Sequence, residues 1–241
     1  MDQGRFMRTL ACLTVFSALT TVSSAQAMSY GLLPFQDGSS AIVAQGQIGR
    51  DEAVRFLAAM QVAQERGAMP SMLIISSPGG NLGSALKLGQ VLRQLRMRTL
   101  VGSVAQDADG QRALTAGGCH SACVMVLMAG IDRSVLPGSR VGVHSPQVVV
   151  VADGQGYSLD ETTTRYVVQR SEPVLRSYAR AMGVSPAVID VAHGVPHTSI
   201  RTLTSSELAR YRLVTSGSGQ NVARSPDGKR TASARHKRRP S

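Results

Sequence analysis

Four consecutive apolar residues, Met72–Ile75, constrain the fold of this 241-residue chain more than any other segment. A short strand with no polar side has to be covered on both faces, which is typical of a parallel sheet. The run ends at Ser76-Ser77-Pro78-Gly79-Gly80, where proline and two glycines predict a turn. Apolar residues from Leu82 to Leu95 then follow helical spacing. A buried strand, a turn and a helix in this order predict an α/β fold with a parallel sheet and flanking helices.

Similar units occur along the rest of the chain. Further strands are predicted at 41–44, 98–104, 135 and 141–143, and a polar loop at 105–118. Helices are predicted at 51–67, from 121 to Gly130, at 159–182 with a break or kink at Pro173, from Ser185-Pro186 with the serine as N-cap, and at 204–209. Strands that alternate with helices predict right-handed crossovers. The sequence has no internal repeat.

The first 27 residues have the pattern of a secretory signal peptide. Arg5 and Arg8 precede the apolar stretch 9–22, and Ala25-Gln26-Ala27 has the Ala-x-Ala form of a cleavage site after Ala27. An uncleaved membrane anchor is the alternative. We therefore expect a periplasmic or secreted protein with one α/β domain over residues 28–216 and a polar tail over 217–241.

The formal net charge of +11 belongs largely to the two ends of the chain. Residues 28–216 carry 17 basic and 13 acidic side chains, whereas 217–241 carry seven basic and one acidic. We therefore expect no specific nucleic-acid partner, and at most weak contact between the basic tail and an anionic surface. A solvated terminus with no partner is the alternative.

A serine precedes the most apolar helix in the sequence. Ser121 lies in Gly117-Gly118-Cys119-His120-Ser121-Ala122-Cys123, directly before the apolar run Val124–Ala129. A helix start presents unpaired N–H groups and the positive end of the helix dipole, which stabilise an oxyanion in acyl transfer. The alternative is a serine that only caps its helix. Cys119 and Cys123 either form a disulfide, as export permits, or pack as two buried thiols.

Two other segments complete a serine-hydrolase hypothesis. His144, in Val143-His144-Ser145-Pro146, could take the serine proton, because a hydroxyl is a poor nucleophile without a base. Gly79 and Gly80 could let a backbone N–H approach the substrate oxygen without a Cβ in the way. The alternatives are an ordinary strand-end histidine, an ordinary turn, and a zinc site. The zinc ligands would be Cys119, His120, Cys123 and His144.

In their order, these segments resemble the Clp protease proteolytic subunit, within the crotonase-like superfamily, over residues 41–214. The matching segments are Gly46-Gln47-Ile48, 75–80, Ser121-Ala122 through Ala129-Gly130, 136–146 and 203–214. The resemblance implies repeated ββα units, Ser121 as nucleophile, His144 as base, and N–H groups of Gly79 or Gly80 and of Ala122 as oxyanion donors. It also implies a homo-oligomer with no metal or organic cofactor. The export signal and the Cys-His-Ser-Ala-Cys setting are similar to exported Clp-like proteins of bacteria.

The sequence departs from the family at the third catalytic residue. The stretch that matches the family aspartate, 197–202, holds no acid, so Ser199, Asp190 or a backbone carbonyl would have to orient His144. The expected substrate is a peptide or a small acyl compound. Two other functions stay open: a crotonase-like enzyme acting on an acyl thioester, and a binding or assembly module that has lost catalysis.

Overall fold

The apolar run 72–75 forms the middle of the main sheet in a computed structural model that describes residues 26–106, 110–152 and 155–215. The strands are β1 (Ser29–Pro34), β2 (Ser40–Gln45), β3 (Met72–Ser76), β4 (Arg98–Val101), β5 (Ser103–Gln106), β6 (Arg112–Thr115), β7 (Gly118–His120), β8 (Arg133–Val135), β9 (Arg140–Val143), β10 (Val149–Ala152), β11 (Gln155–Ser158) and β12 (Arg201–Thr202). The helices are α1 (Glu52–Glu65), α2 (Leu82–Gln94), α3 (Cys123–Ala129), α4 (Glu161–Ala181), α5 (Ala187–His193) and α6 (Ser205–Arg210). Residues 1–25 of the predicted signal peptide and the whole tail 217–241 lie outside the described residues.

The main sheet has the order β1-β2-β3-β4-β8. β1 is antiparallel to β2, and the other neighbours are parallel. Leu73, Ile74 and Ile75 on β3 are fully buried, as the absence of a polar side requires. This confirms the α/β fold class with a parallel sheet and flanking helices.

A second sheet, with the order β12-β9-β7, lies where strands of the main sheet end. Directly after β3, Ser77 pairs with Cys119 of β7 in a parallel bridge. A second bridge joins Ile48, after β2, to Gly80. The turns that follow β2 and β3 therefore lie beside β7, which leads directly to Ser121.

Helices α1 and α3 contact strands of the main sheet. α1 packs on α2, and α2 packs on α3. Every residue of α3 is buried, so the helix after Ser121 is the centre of the hydrophobic core. Within the residues that the structure describes, no helix is both long and apolar enough to cross a membrane.

The structure corrects three of the sequence-based elements. The predicted loop 105–118 contains the end of β5, all of β6 and the first residue of β7, and the predicted strand 98–104 is interrupted at Gly102. Of the break or kink predicted at Pro173, the break is wrong, because α4 continues through this residue. Because Pro173 is exposed, water can solvate the carbonyl that loses its helical partner. The hairpin β10–β11 and strand β1 had not been predicted.

Candidate active site

Ser121 lies at a sharp turn between a strand and a helix. It follows β7 and has φ +56°, a left-handed conformation that few residues other than glycine adopt. Its N–H donates to the carbonyl oxygen of Gly142 on β9 at 2.9 Å, and its own carbonyl accepts from Val124 N–H at 3.0 Å. A strained residue between a strand and a helix presents its side chain at the end of the sheet, as nucleophilic serines do on other folds.

A disulfide closes this turn. Cys119 and Cys123 are bonded through their sulfur atoms, with their Cα atoms 5.2 Å apart. Both side chains are fully buried. The bond encloses Ser121 in a ring of five residues, so it restricts the backbone on both sides of the serine.

The two glycines after β3 pack against the same turn. A Cβ added to Gly79 would lie 2.8 Å from both the Cβ of Ser121 and the carbonyl oxygen of His120. A Cβ on Gly80 would lie 2.2 Å from the carbonyl oxygen of Ile48. With φ of +104° and +135°, both positions also require a backbone that favours glycine. The missing side chains allow the backbone after β3 to pack directly against Ser121 and Ile48.

The N–H groups near Ser121 differ in their partners. Gly79 N–H donates to the Ser77 hydroxyl oxygen at 3.1 Å, so this candidate oxyanion donor is engaged. Within the described part of the chain, the N–H groups of Gly80 and Ala122 donate to no acceptor. Ala122 directly precedes α3, where the helix dipole favours negative charge. Of the three candidate donors, Gly80 and Ala122 are therefore the ones available to an oxyanion.

His144 follows β9 and is half-buried. Its Nδ1 is 2.8 Å from the carbonyl oxygen of Ser145. Because a carbonyl oxygen only accepts hydrogen bonds, Nδ1 carries the proton and Nε2 of the neutral ring keeps its lone pair. This is the tautomer that a base acting through Nε2 needs.

The side chains of the other candidate orienters have partners other than His144. Asp190 on α5 forms an ion pair with Arg176 of α4. The Ser199 hydroxyl donates to the carbonyl oxygen of Pro196 at 3.2 Å. Three groups are candidate partners of His144: Ser199, Asp190 and a backbone carbonyl. The one that contacts its ring is a backbone carbonyl, that of Ser145. No hydrogen bond links the Ser121 hydroxyl to His144 among the residues described.

Other bases and metal ligands are few around this turn. Lys87 is the one lysine between residues 26 and 215, and it is exposed on α2. In residues 26–106, 110–152 and 155–215, no group of three or more His, Cys, Asp or Glu side chains could hold a metal ion. The zinc alternative also needs thiolates at Cys119 and Cys123, and disulfide sulfurs are not thiolates.

Beside the turn is an open cleft of about 450 Å³. It is lined by Gln26, Ser29, Gln45, Gly46, Ser76, Ser77, Pro78, Gly118 and His120. From the sequence, His120 is a candidate only as a zinc ligand. Alternation along β7 could have suggested its position, because Cys119 is buried and the next side chain must point the other way. Burial, Arg140 and His144 hold the pKa of His120 below its usual 6.5.

The fold and the site define a mixed α/β domain whose parallel sheet leads to a strained serine at the start of a buried helix. No protein-family model and no curated protein matches the sequence. Among solved structures, the chain is similar to a mutant of the 1510-N membrane-bound stomatin-specific protease, with 17% identity, a TM-score of 0.46 and coverage of 71% of this chain and 75% of that chain. A second mutant of that protease, in complex with a substrate peptide, has 17% identity, a TM-score of 0.47 and 71% coverage of each chain.

Proposed function

We propose that this protein is an exported serine hydrolase, a peptidase of the Clp-like type, that acts by acyl transfer at Ser121. The observation that carries the proposal is the left-handed turn at Ser121, held by Gly142 and the disulfide and packed against the bare backbone of Gly79. A serine that only capped its helix would not need this strain, because N-cap residues have extended backbone angles.

In the proposed reaction His144 acts as the base. Its Nε2 takes the proton from the Ser121 hydroxyl while that oxygen attacks the acyl carbon of the substrate. The developing oxyanion accepts from the N–H groups of Ala122 and Gly80, with Gly79 available once the Ser77 hydroxyl rotates away. The proton then passes to the leaving amine, and water hydrolyses the acyl-enzyme by the same route in reverse.

In the proposed site, the Ser145 carbonyl is the hydrogen-bond partner of His144 Nδ1, a position that an aspartate occupies in a full triad. It fixes the tautomer of His144, but a neutral dipole stabilises the imidazolium less than an aspartate does. Neutralising a triad aspartate lowers turnover by about 10⁴-fold, so we expect slow turnover compared with a full triad. Because catalytic hydrogen bonds are often long without substrate, His144 has to approach Ser121 when a substrate binds.

The setting of the enzyme is part of the proposal. Cleavage after Ala27 would release it into the periplasm or the medium, where the disulfide is stable. By the family resemblance we expect a homo-oligomer that needs no metal or organic cofactor. The basic tail 217–241 would add weak contact with anionic surfaces.

Labelling with a fluorophosphonate probe tests the chemistry. We expect the purified protein to form a covalent adduct that mass spectrometry locates at Ser121. The Ser121→Ala variant should not react, while Ser71→Ala, at an exposed position before β3, should react as the wild type does. Absence of an adduct in folded wild-type protein would contradict the hydrolase.

A second function is a binding or assembly module of the same fold. It is favoured by the lack of an acid near His144 and of a hydrogen bond from Ser121 to His144 within the described chain. In that case the protein would be folded and oligomeric, and Ser121 would be inert to the probe.

A further inference from the structure

The segment before Met28 lies along the turn that follows β2. Gln47 N–H donates to the carbonyl oxygen of Gln26 at 2.7 Å, and Met28 N–H donates to the carbonyl oxygen of Gln47 at 3.0 Å. These two bonds form a parallel bridge between Ala27 and Gln47. A Cβ on Gly46 would lie 2.7 Å from the carbonyl oxygens of both Gln26 and Ala27. The turn is therefore shaped to accept a strand whose backbone approaches closely.

Burial changes abruptly at the predicted cleavage bond. Met28 is 1% exposed, whereas Gln26 and Ala27 are exposed. Arg55 donates to the carbonyl oxygen of Met28, and Arg55 is itself held by an ion pair with the fully buried Glu52. Cleavage after Ala27 would thus leave Met28 anchored and remove two residues that the core does not hold.

Removal of these residues would change three groups at once. Gln47 N–H would lose its acceptor, Gln26 would leave the cleft that His120 and Ser77 also line, and the nitrogen of Met28 would become an ammonium group. The ammonium would remain beside the Gln47 carbonyl. An edge N–H and a positive charge, placed next to each other, are the elements that capture the C-terminal end of a peptide.

We propose that cleavage after Ala27 creates a binding site for the C-terminal end of an extended peptide that ends in a free carboxylate. The penultimate carbonyl of the ligand accepts from Gln47 N–H, as Gln26 does in the uncut chain. The terminal carboxylate pairs with the ammonium of Met28, and the bare backbone of Gly46 permits the approach. The inference rests on one part of the proposed function, the processing after Ala27, and does not require acyl transfer at Ser121.

The test uses the full chain exported by a bacterial host, with its new N-terminus determined by mass spectrometry. The probe is the acetylated tetrapeptide Ser-Ala-Gln-Ala, which repeats residues 24–27, and its matched control is the same peptide with a C-terminal amide. Binding is followed by NMR through the amide signals of Gly46 and Gln47. We expect saturable shifts with the acid, and affinity about two- to fivefold weaker with the amide, as loss of one exposed charge contact predicts.

Two further proteins serve as controls: a longer chain tests whether the site is filled by residues 26 and 27, and a serine variant separates peptide binding from the hydrolase proposal. A chain that begins at Gln26 has its site filled by its own residues and should show no saturable shifts. The Ser121→Ala variant should bind the acid as tightly as the wild type, whatever its reactivity. An N-terminus other than Met28, equal affinity for acid and amide, or equal shifts in the longer chain would each overturn the proposal.

Discussion

The N–H of Ser121 donates to the carbonyl oxygen of Gly142 at 2.9 Å, which joins the serine turn to β9 two residues before His144. One backbone hydrogen bond therefore couples the segment that carries the proposed nucleophile to the segment that carries the proposed base. Ser121 and His144 are 23 positions apart in sequence, and each follows one of two paired strands, β7 and β9.

Substitution of Gly79 by alanine should remove reactivity. The new methyl group would overlap the Ser121 side chain and would sit on a backbone with φ +104°. We expect fluorophosphonate labelling to fall by about 10²- to 10³-fold, the usual effect of disturbing an oxyanion site. The free energy of unfolding should fall by about 1–3 kcal/mol, because the strained backbone conformation has to be maintained.

Gly83→Ala is the matched control for that substitution. Gly83 lies in α2, and its added Cβ would meet only the Asn81 side-chain oxygen, at 3.5 Å. We expect unchanged labelling and a gain in stability of up to about 1 kcal/mol from helix propensity. If Gly79→Ala were labelled as fast as Gly83→Ala, the close packing of Gly79 against Ser121 would have no role in the reaction.

Loss of the disulfide should slow the reaction at Ser121 while the fold persists. The bond joins the residues two before and two after the serine, so its removal frees the turn. We expect reduction, or the double variant Cys119→Ala/Cys123→Ala, to lower the labelling rate by about ten- to a hundredfold, as small misplacements of reacting groups do. Circular dichroism reports the fold. Added reductant should not change the labelling rate of the double variant. Equal labelling rates for oxidised and reduced wild type would argue against a role of the disulfide in positioning Ser121.

Acidification should weaken the fold through His120. Burial first, then Arg140 and His144, hold the pKa of His120 in the folded protein below 6.5. As the pH falls through about 6.5, the unfolded state takes up this proton before the folded state does, so the free energy of unfolding decreases. The contribution is complete above pH 6.5 and is lost progressively below it.

Arg140→Gln isolates that electrostatic contribution. Removal of the guanidinium should raise the pKa of His120 and make unfolding less sensitive to acid, which NMR titration of the ring and denaturation at several pH values can measure. An unchanged His120 pKa would show that Arg140 does not act on this ring.

Asp190 should be dispensable for the chemistry. It pairs with Arg176, and its side chain is 55% exposed, so Asp190→Asn should change the free energy of unfolding by no more than about 1 kcal/mol. Labelling of Ser121 should be unaffected. His144→Gln, by contrast, should lower labelling by about 10²- to 10⁴-fold, the usual contribution of a general base. A comparable loss in folded Asp190→Asn would make Asp190 the orienter of His144 after all.

Local patterns predicted those elements whose residues carry their own signals. The apolar run at β3 and the turn at 76–80 were found because burial and glycine requirements show in the residues themselves. The last helix was found because Thr204 and Glu207 form a capping box. The hairpins β5–β6 and β10–β11 were missed because hairpins depend on pairing between segments of weak individual preference.

The sequence alone determined the fold class, the nucleophile candidate and the segments that could serve it, because apolar periodicity, glycines and caps act over a few residues. Tertiary structure decided which groups meet: that Gly79 packs on Ser121, that Gly142 accepts from its N–H, and that Ser145 rather than Asp190 contacts His144. It also decided that His120 faces the cleft and that Gln26 lies along Gly46. These contacts follow from sheet register and strand crossovers, which are set by the packing of the whole core. They cannot be predicted from the residues of any single segment.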